Sequence, residues 1–111
     1  MMPSGFRSAD VLVQRRSAGI LEETEDGYAF TYDDDYLAEN GAPVSLTLPL
    51  SERVYRSEVL FSFFDGLIPE GWLLEVVSRS WKIDRNDRFG LLLAACGDCI
   101  GDVSIRDRGR A

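Results

Sequence analysis

The chain has 111 residues, 45% of them hydrophobic, and a net charge of −7. That suits one domain with a real core and excludes a disordered composition; it also argues against an autonomous nucleic-acid binder, which needs clustered Lys and Arg. No apolar run approaches the roughly 20 residues needed to cross a bilayer, and the first residues lack the apolar core of a signal peptide, so a cytoplasmic protein without membrane contact is expected.

Residues 1–9 read as a flexible terminus and residues 10–14 as a short strand. Residues 15–19 form a turn, and a second strand begins at Ile20. Asp26-Gly27 then stands between two strand-like runs and suits a type I′ hairpin turn. Tyr28, Phe30 and Tyr32 follow with period two and share one face of a third strand. Asp33 to Asp35 open a loop with a helical turn. Three adjacent aspartates do not reproduce the alternating ligands of a calcium loop, because Tyr36 and Leu37 break the spacing. Residues 44–50 alternate, with Val44, Leu46, Leu48 and Leu50 on one face. Pro49 puts that strand at a sheet edge or ends it there.

The pattern then turns helical. Ser57 is a candidate N-cap, with Glu58 in the first turn and Val59, Leu60, Phe61, Phe63 and Phe64 largely buried. Gly66 stops this helix. Pro69 starts a second one, running to about Ser80, with Leu73, Val76 and Val77 as its apolar stripe and Trp72 on another side. Asp84 or Asn86 can cap a third helix, whose stripe is Phe89, Leu92, Leu93 and Cys96. Gly97 ends it. Residues 100–105 form a last strand, and residues 106–111 a flexible tail. The expected fold is a compact α+β domain over residues 10–105: a small antiparallel β-meander packed with about three short helices.

Chemistry is hard to find. There is no His, so a His base, a His metal ligand and a Ser-His-Asp triad are excluded. Neither a phosphate-binding Gly-x4-Gly-Lys-Ser/Thr nor the His-Arg-Asp and Asp-Phe-Gly signatures of a kinase are present. Cys96-Gly97-Asp98-Cys99 is a redox pair or, more simply, two structural thiols, and it supplies too few ligands for a structural zinc. Asp65, just before the 66–72 turn, and Glu70, within it, are the best candidates for a functional acid pair, although Asp65 also suits an ordinary helix end. From residue 21 to 39 there are eight acidic residues and no Lys or Arg. That run is either a solvated face or a patch that docks on a basic partner.

The stretch from Phe63 to Leu73, Phe-Phe-Asp-Gly-Leu-Ile-Pro-Glu-Gly-Trp-Leu, resembles the signature of the N-terminal domain of HipA-type toxin kinases. The similarity extends through Ala18-Gly19-Ile20-Leu21-Glu22, Tyr28-Ala29-Phe30-Thr31-Tyr32, the Leu/Ser alternation ending in Pro49-Leu50, Phe89-Gly90-Leu91-Leu92, and residues 97–105. The large kinase domain that follows in HipA is not represented, so the resemblance implies no kinase activity and no cofactor. It implies instead a HipS-like antitoxin that neutralises a separate HipA-like (HipT-type) kinase, with a HipB-type helix-turn-helix repressor as a further partner. A scaffold subunit that completes the kinase without inhibiting it is the rival, and an acidic DNA mimic a third reading. The expected partner-binding residues are Trp72, Glu70, Pro69, Gly71, Ile68 and Asp65, with Trp72 either a protruding anchor or part of the core.

Overall fold

The structure is a computed structural model that describes residues 6–39, 41–68, 71–84, 86–95 and 103–110, without the side chains of residues 71–73, 77, 81, 95, 109 and 110. Three strands open the chain: β1 (Arg7–Val13), β2 (Arg16–Thr24) and β3 (Gly27–Tyr32). After α1 (Asp34–Ala38) and a long loop comes β4 (Val54–Ser57). Then follow α2 (Ser62–Asp65), α3 (Gly71–Trp81), α4 (Arg88–Ala95) and β5 (Val103–Arg110). The strands form one sheet in the order β4-β3-β2-β1-β5 with every neighbouring pair antiparallel. The α+β fold class is as expected, with α1 added to the three helices.

Period-two alternation explains the core. Ala9 and Val11 of β1, Leu21 of β2, Phe30 and Tyr32 of β3 and Ile105 of β5 are each fully buried and fall opposite one another in register. Phe64, Phe89, Leu91 and Leu92 close over them from α2 and α4. The shortest helix is held by rings: Phe64 lies 5.7 Å from Phe30, with Phe61 and Phe63 edge-on to Phe64 at 6.1 and 5.3 Å. Such contacts add to the area the rings bury.

Several expectations change at the element ends. β1 begins at Arg7 and β5 continues to Arg110, and the two pair along their length, so sheet pairing extends beyond residues 10–105 at both ends. The β1–β2 turn is Gln14-Arg15, both at positive φ, and β2 starts at Arg16 rather than Ile20. In the next hairpin the loop residues are Glu25 and Asp26, neither of them at positive φ, so the turn is not type I′. Gly27 instead opens β3 at φ +146°, where a Cβ would sit 2.2 Å from the Ser57 carbonyl oxygen.

Residues 44–50 are not a strand. Val44 and Leu48 are buried, but Leu46 is 93% exposed. The reason is Tyr32: its buried hydroxyl donates to the Leu48 carbonyl and accepts from the Val44 N–H at 3.0 Å, which bends the segment around it. The Tyr36 and Tyr55 hydroxyls likewise donate to the Ala42 and Pro49 carbonyls, both at 2.5 Å. The edge strand is β4 instead. Ser57 therefore ends a strand rather than capping a helix, and Val59 is 71% exposed.

Candidate partner interface

The 66–72 turn joins α2 to α3. α2 is a single turn ending at Gly66, whose N–H donates to the Ser62 carbonyl. The chain continues tightly, with the Leu67 N–H donating to the Phe64 carbonyl at 3.0 Å and the Ile68 N–H to that of Asp65 at 3.1 Å. These bonds occupy carbonyls that a helix end would leave unpaired. Ile68 is thereby driven into the core, with 3% exposure. Its side chain is not on the surface, contrary to the role expected for it, because the turn needs an apolar plug beneath it. Pro69 and Glu70 lie outside the described residues. Gly71 and Trp72 are the first two residues of α3; the Trp72 indole is outside the description.

Asp65 is tied inward. Arg88 Nε donates to Asp65 Oδ1 at 2.7 Å, joining α2 to the first residue of α4. The start of α4 is itself fixed by Asp87, whose Oδ1 accepts from the Gly90 N–H at 3.1 Å, in the manner of an N-cap. Asp87, not Asp84 or Asn86, is the capping residue; Asp84 accepts the Asn86 N–H one turn earlier. Asp87 also receives Arg7 through two bonds of 2.9 and 2.8 Å, and Arg7 binds both carboxylate oxygens of Glu23 at 2.9 and 3.0 Å. The Arg7 guanidinium lies 5.4 Å above the Phe89 ring. The hydrogen bonds from Arg7 hold the Glu23 carboxyl below its ordinary range, and the two carboxylates push the Arg7 pKa up. A chain of contacts thus runs from β1 and β2 through α4 to the residue that precedes the turn.

The inward face of α3 also differs from expectation. Ser78 is buried and Leu74 packs on the core, whereas Val76 is 46% exposed. Leu74 and Ser78 stand four apart and so share a face, and Val76 points elsewhere. Its C-terminus is a left-handed cap with Lys82 at φ +54°, the Ile83 N–H returning to the Ser78 carbonyl at 2.9 Å. Beside the turn, Val59, Leu60, Ser62, Asp65, Gly66 and Arg88 line a concavity of about 540 Å³. Exposed Val59 on its rim was hidden in the sequence by an apolar run that reads as a buried helix.

The acidic stretch proves to be two surfaces. Asp34 pairs with Arg53 at 3.0 Å, Glu39 with Arg16, and Asp33 accepts the Ser17 hydroxyl at 2.9 Å. At the other end of the β2–β3 hairpin, Glu22, Glu25 and Asp26 have no ion pair among the described residues. No three His, Cys, Asp or Glu side chains among the described residues are gathered to hold a metal ion. The Cys96 pair lies outside them.

Comparison with known proteins agrees with this architecture. A protein of Haemophilus influenzae, described only as uncharacterised, is 35% identical over 101 residues that span 91% of this chain and 92% of that one. A solved structure, the N-terminal domain of HipA toxin, matches with a TM-score of 0.71 and 29% identity over 92% of both chains. The family model for the HipA N-terminal domain matches residues 9–106. The chain belongs to the HipA N-terminal domain family.

Proposed function

We propose that this chain is an antitoxin that binds and neutralises a separate HipA-like serine/threonine kinase toxin in the bacterial cytoplasm. The observation that carries the reading is the match to the HipA N-terminal domain family over residues 9–106. The Haemophilus relative supports it, since the shared domain spans 92% of that protein. A domain that packs against a kinase within one chain retains the complementary surface when it is supplied in trans. Inhibition then comes from occupying the kinase active site or holding the kinase inactive. A HipB-type repressor completes the assembly.

The contact surface we assign is the 66–72 turn. Gly71 and Trp72 stand at the N-terminus of α3, and Trp72 is the anchor, as large aromatic residues are at interface centres. Pro69 and Glu70, which lie between Ile68 and Gly71 in the sequence, are assigned to the same contact surface. Asp65 contributes less, because a partner's cation has to compete with Arg88. Ile68 acts from beneath by setting the turn's shape.

The test is to purify the kinase encoded beside this chain, with and without it. Trp72→Ala is expected to cost about 2 kcal/mol of complex affinity, roughly thirtyfold, while the circular dichroism spectrum stays native. Unchanged affinity and unchanged rescue from toxicity in a folded Trp72→Ala protein would remove the anchor. A kinase that phosphorylates at the same rate when saturated with this chain would make the chain a scaffold instead.

A further inference from the structure

The closed end of the β2–β3 hairpin carries a groove of about 730 Å³ that the kinase reading does not use. Phe6 and Tyr28 supply its aromatic wall, and Glu22, Glu25, Asp26 and Glu58 its rim. Glu23 also lines it but is committed to Arg7. None of the four rim carboxylates has an ion pair among the described residues. Among the described lining residues they stand against one guanidinium, that of Arg56, an excess of three negative charges within that set. The opposite end of the hairpin, on the order of 20 Å away for six residues of strand, is where Asp34 and Glu39 find their arginines.

Two features of the groove select its occupant. Carboxylates beside low-dielectric walls focus a negative potential that attracts cations over a distance. Aromatic rings among carboxylates favour a guanidinium over an ammonium, since it stacks on a ring face and pairs with a carboxylate through two parallel bonds. The volume exceeds that of one side chain and suits several residues of extended chain. We propose that this groove docks an arginine-rich extended segment of a protein partner. The inference goes beyond the antitoxin reading and needs no kinase to be true.

The test uses the full chain and a fluorescein-labelled octapeptide of alternating Arg and Ser, followed by fluorescence anisotropy. Saturable binding is expected, weakening about tenfold between 50 and 200 mM NaCl as the charges are screened. Neutralising the rim with Glu22→Gln, Glu25→Gln, Asp26→Asn and Glu58→Gln together should weaken it about tenfold or more, and Phe6→Ala about fivefold with all charges retained. Asp33→Asn, Asp34→Asn and Asp35→Asn together should change it by less than about twofold. Glu58→Gln alone, also expected to weaken binding, keeps the test usable if the fourfold variant does not fold. Trp72→Ala should leave peptide binding unchanged, which separates this inference from the kinase reading. Equal losses from the two neutralised sets, equal affinity for the same octapeptide with each Arg replaced by Lys, or displacement by an equal charge of spermine would each overturn the proposal.

Discussion

Asp87 bears two separable loads, and removing it should show both. Its carboxylate caps α4 through the Gly90 N–H and receives two bonds from Arg7. A lost N-cap costs about 1 kcal/mol. Charge-assisted bonds contribute about 1.5–3 kcal/mol when buried, but this side chain is 35% exposed, and solvent screening brings their share to about 1 kcal/mol. Asp87→Ala should therefore destabilise the fold by about 2 kcal/mol, on the order of 10 °C in Tm for a domain of this size. Asp87→Ser retains a capping oxygen and should lose only about half as much. Arg7 keeps Glu23 in both variants, so no orphaned charge inflates the difference. Urea unfolding followed by circular dichroism at pH 7 measures the two values. Hydrogen exchange supplies the second readout: Arg88 follows Asp87 and holds Asp65, so the Leu67 and Ile68 amides of the turn should lose protection in Asp87→Ala. A loss below about 0.5 kcal/mol, or equal losses in Ala and Ser, refutes the two-part role. Unchanged exchange at Leu67 and Ile68 refutes the coupling to the turn.

Lys82→Gly should stabilise the protein by about 0.5–1 kcal/mol, because Lys82 holds a left-handed cap conformation that glycine adopts without a Cβ penalty; a lower urea midpoint would contradict this. Glu23 governs part of the acid limb. Arg7 depresses its folded pKa, so its contribution is fully present above the ordinary carboxylate value of 4.5 and is lost as pH falls through the lower folded value. Glu23→Gln should accordingly be less stable than the wild type at pH 7, and the gap should close below about pH 4.5. A gap that stays constant on acidification would show that Glu23 acts through packing alone.

Much of the sheet was legible because alternation is local. Tyr28, Phe30 and Tyr32 announce one face of β3, and burial of Phe30 and Tyr32 follows directly. The apolar spacing of Phe89 and Leu92 does the same for α4. The failures share a different cause. Residues 44–50 alternate as well as any strand, yet the hydroxyl of Tyr32, more than ten residues earlier in the chain, takes the Val44 and Leu48 backbone groups that a sheet would have paired. Nothing in a window of seven residues reveals that competitor. Val59 and Leu60 read as helix because they continue an apolar run, but the β3 edge captures the residues just before them as β4. The Arg7–Glu23–Asp87 cluster joins residues separated by 16 and 80 positions, a distance at which charge patterning carries no signal. For the interface, the turn itself was visible through Gly66, Pro69 and Gly71. What the sequence could not show was which apolar residue plugs the turn from beneath; burial assigns that place to Ile68.

That placement follows from the length of α2. Four residues cannot stabilise a helix by its own hydrogen bonds, so α2 depends on Phe64 against Phe30 and on Asp65 against Arg88. Both attachments sit within the last two residues before Gly66. The chain therefore leaves α2 from a fixed point, Ile68 anchors the turn three residues after Asp65, and α3 starts three residues further on with Gly71 and Trp72. A turn held at one end by a ring and an ion pair, and in the middle by a buried isoleucine, has little entropy left to lose, so in the recognition role proposed above its affinity needs no large area. The acidic groove is built on the opposite principle. Its four carboxylates have no ion pair among the described residues, so their mutual repulsion costs stability, and the cationic occupant proposed above would relieve it.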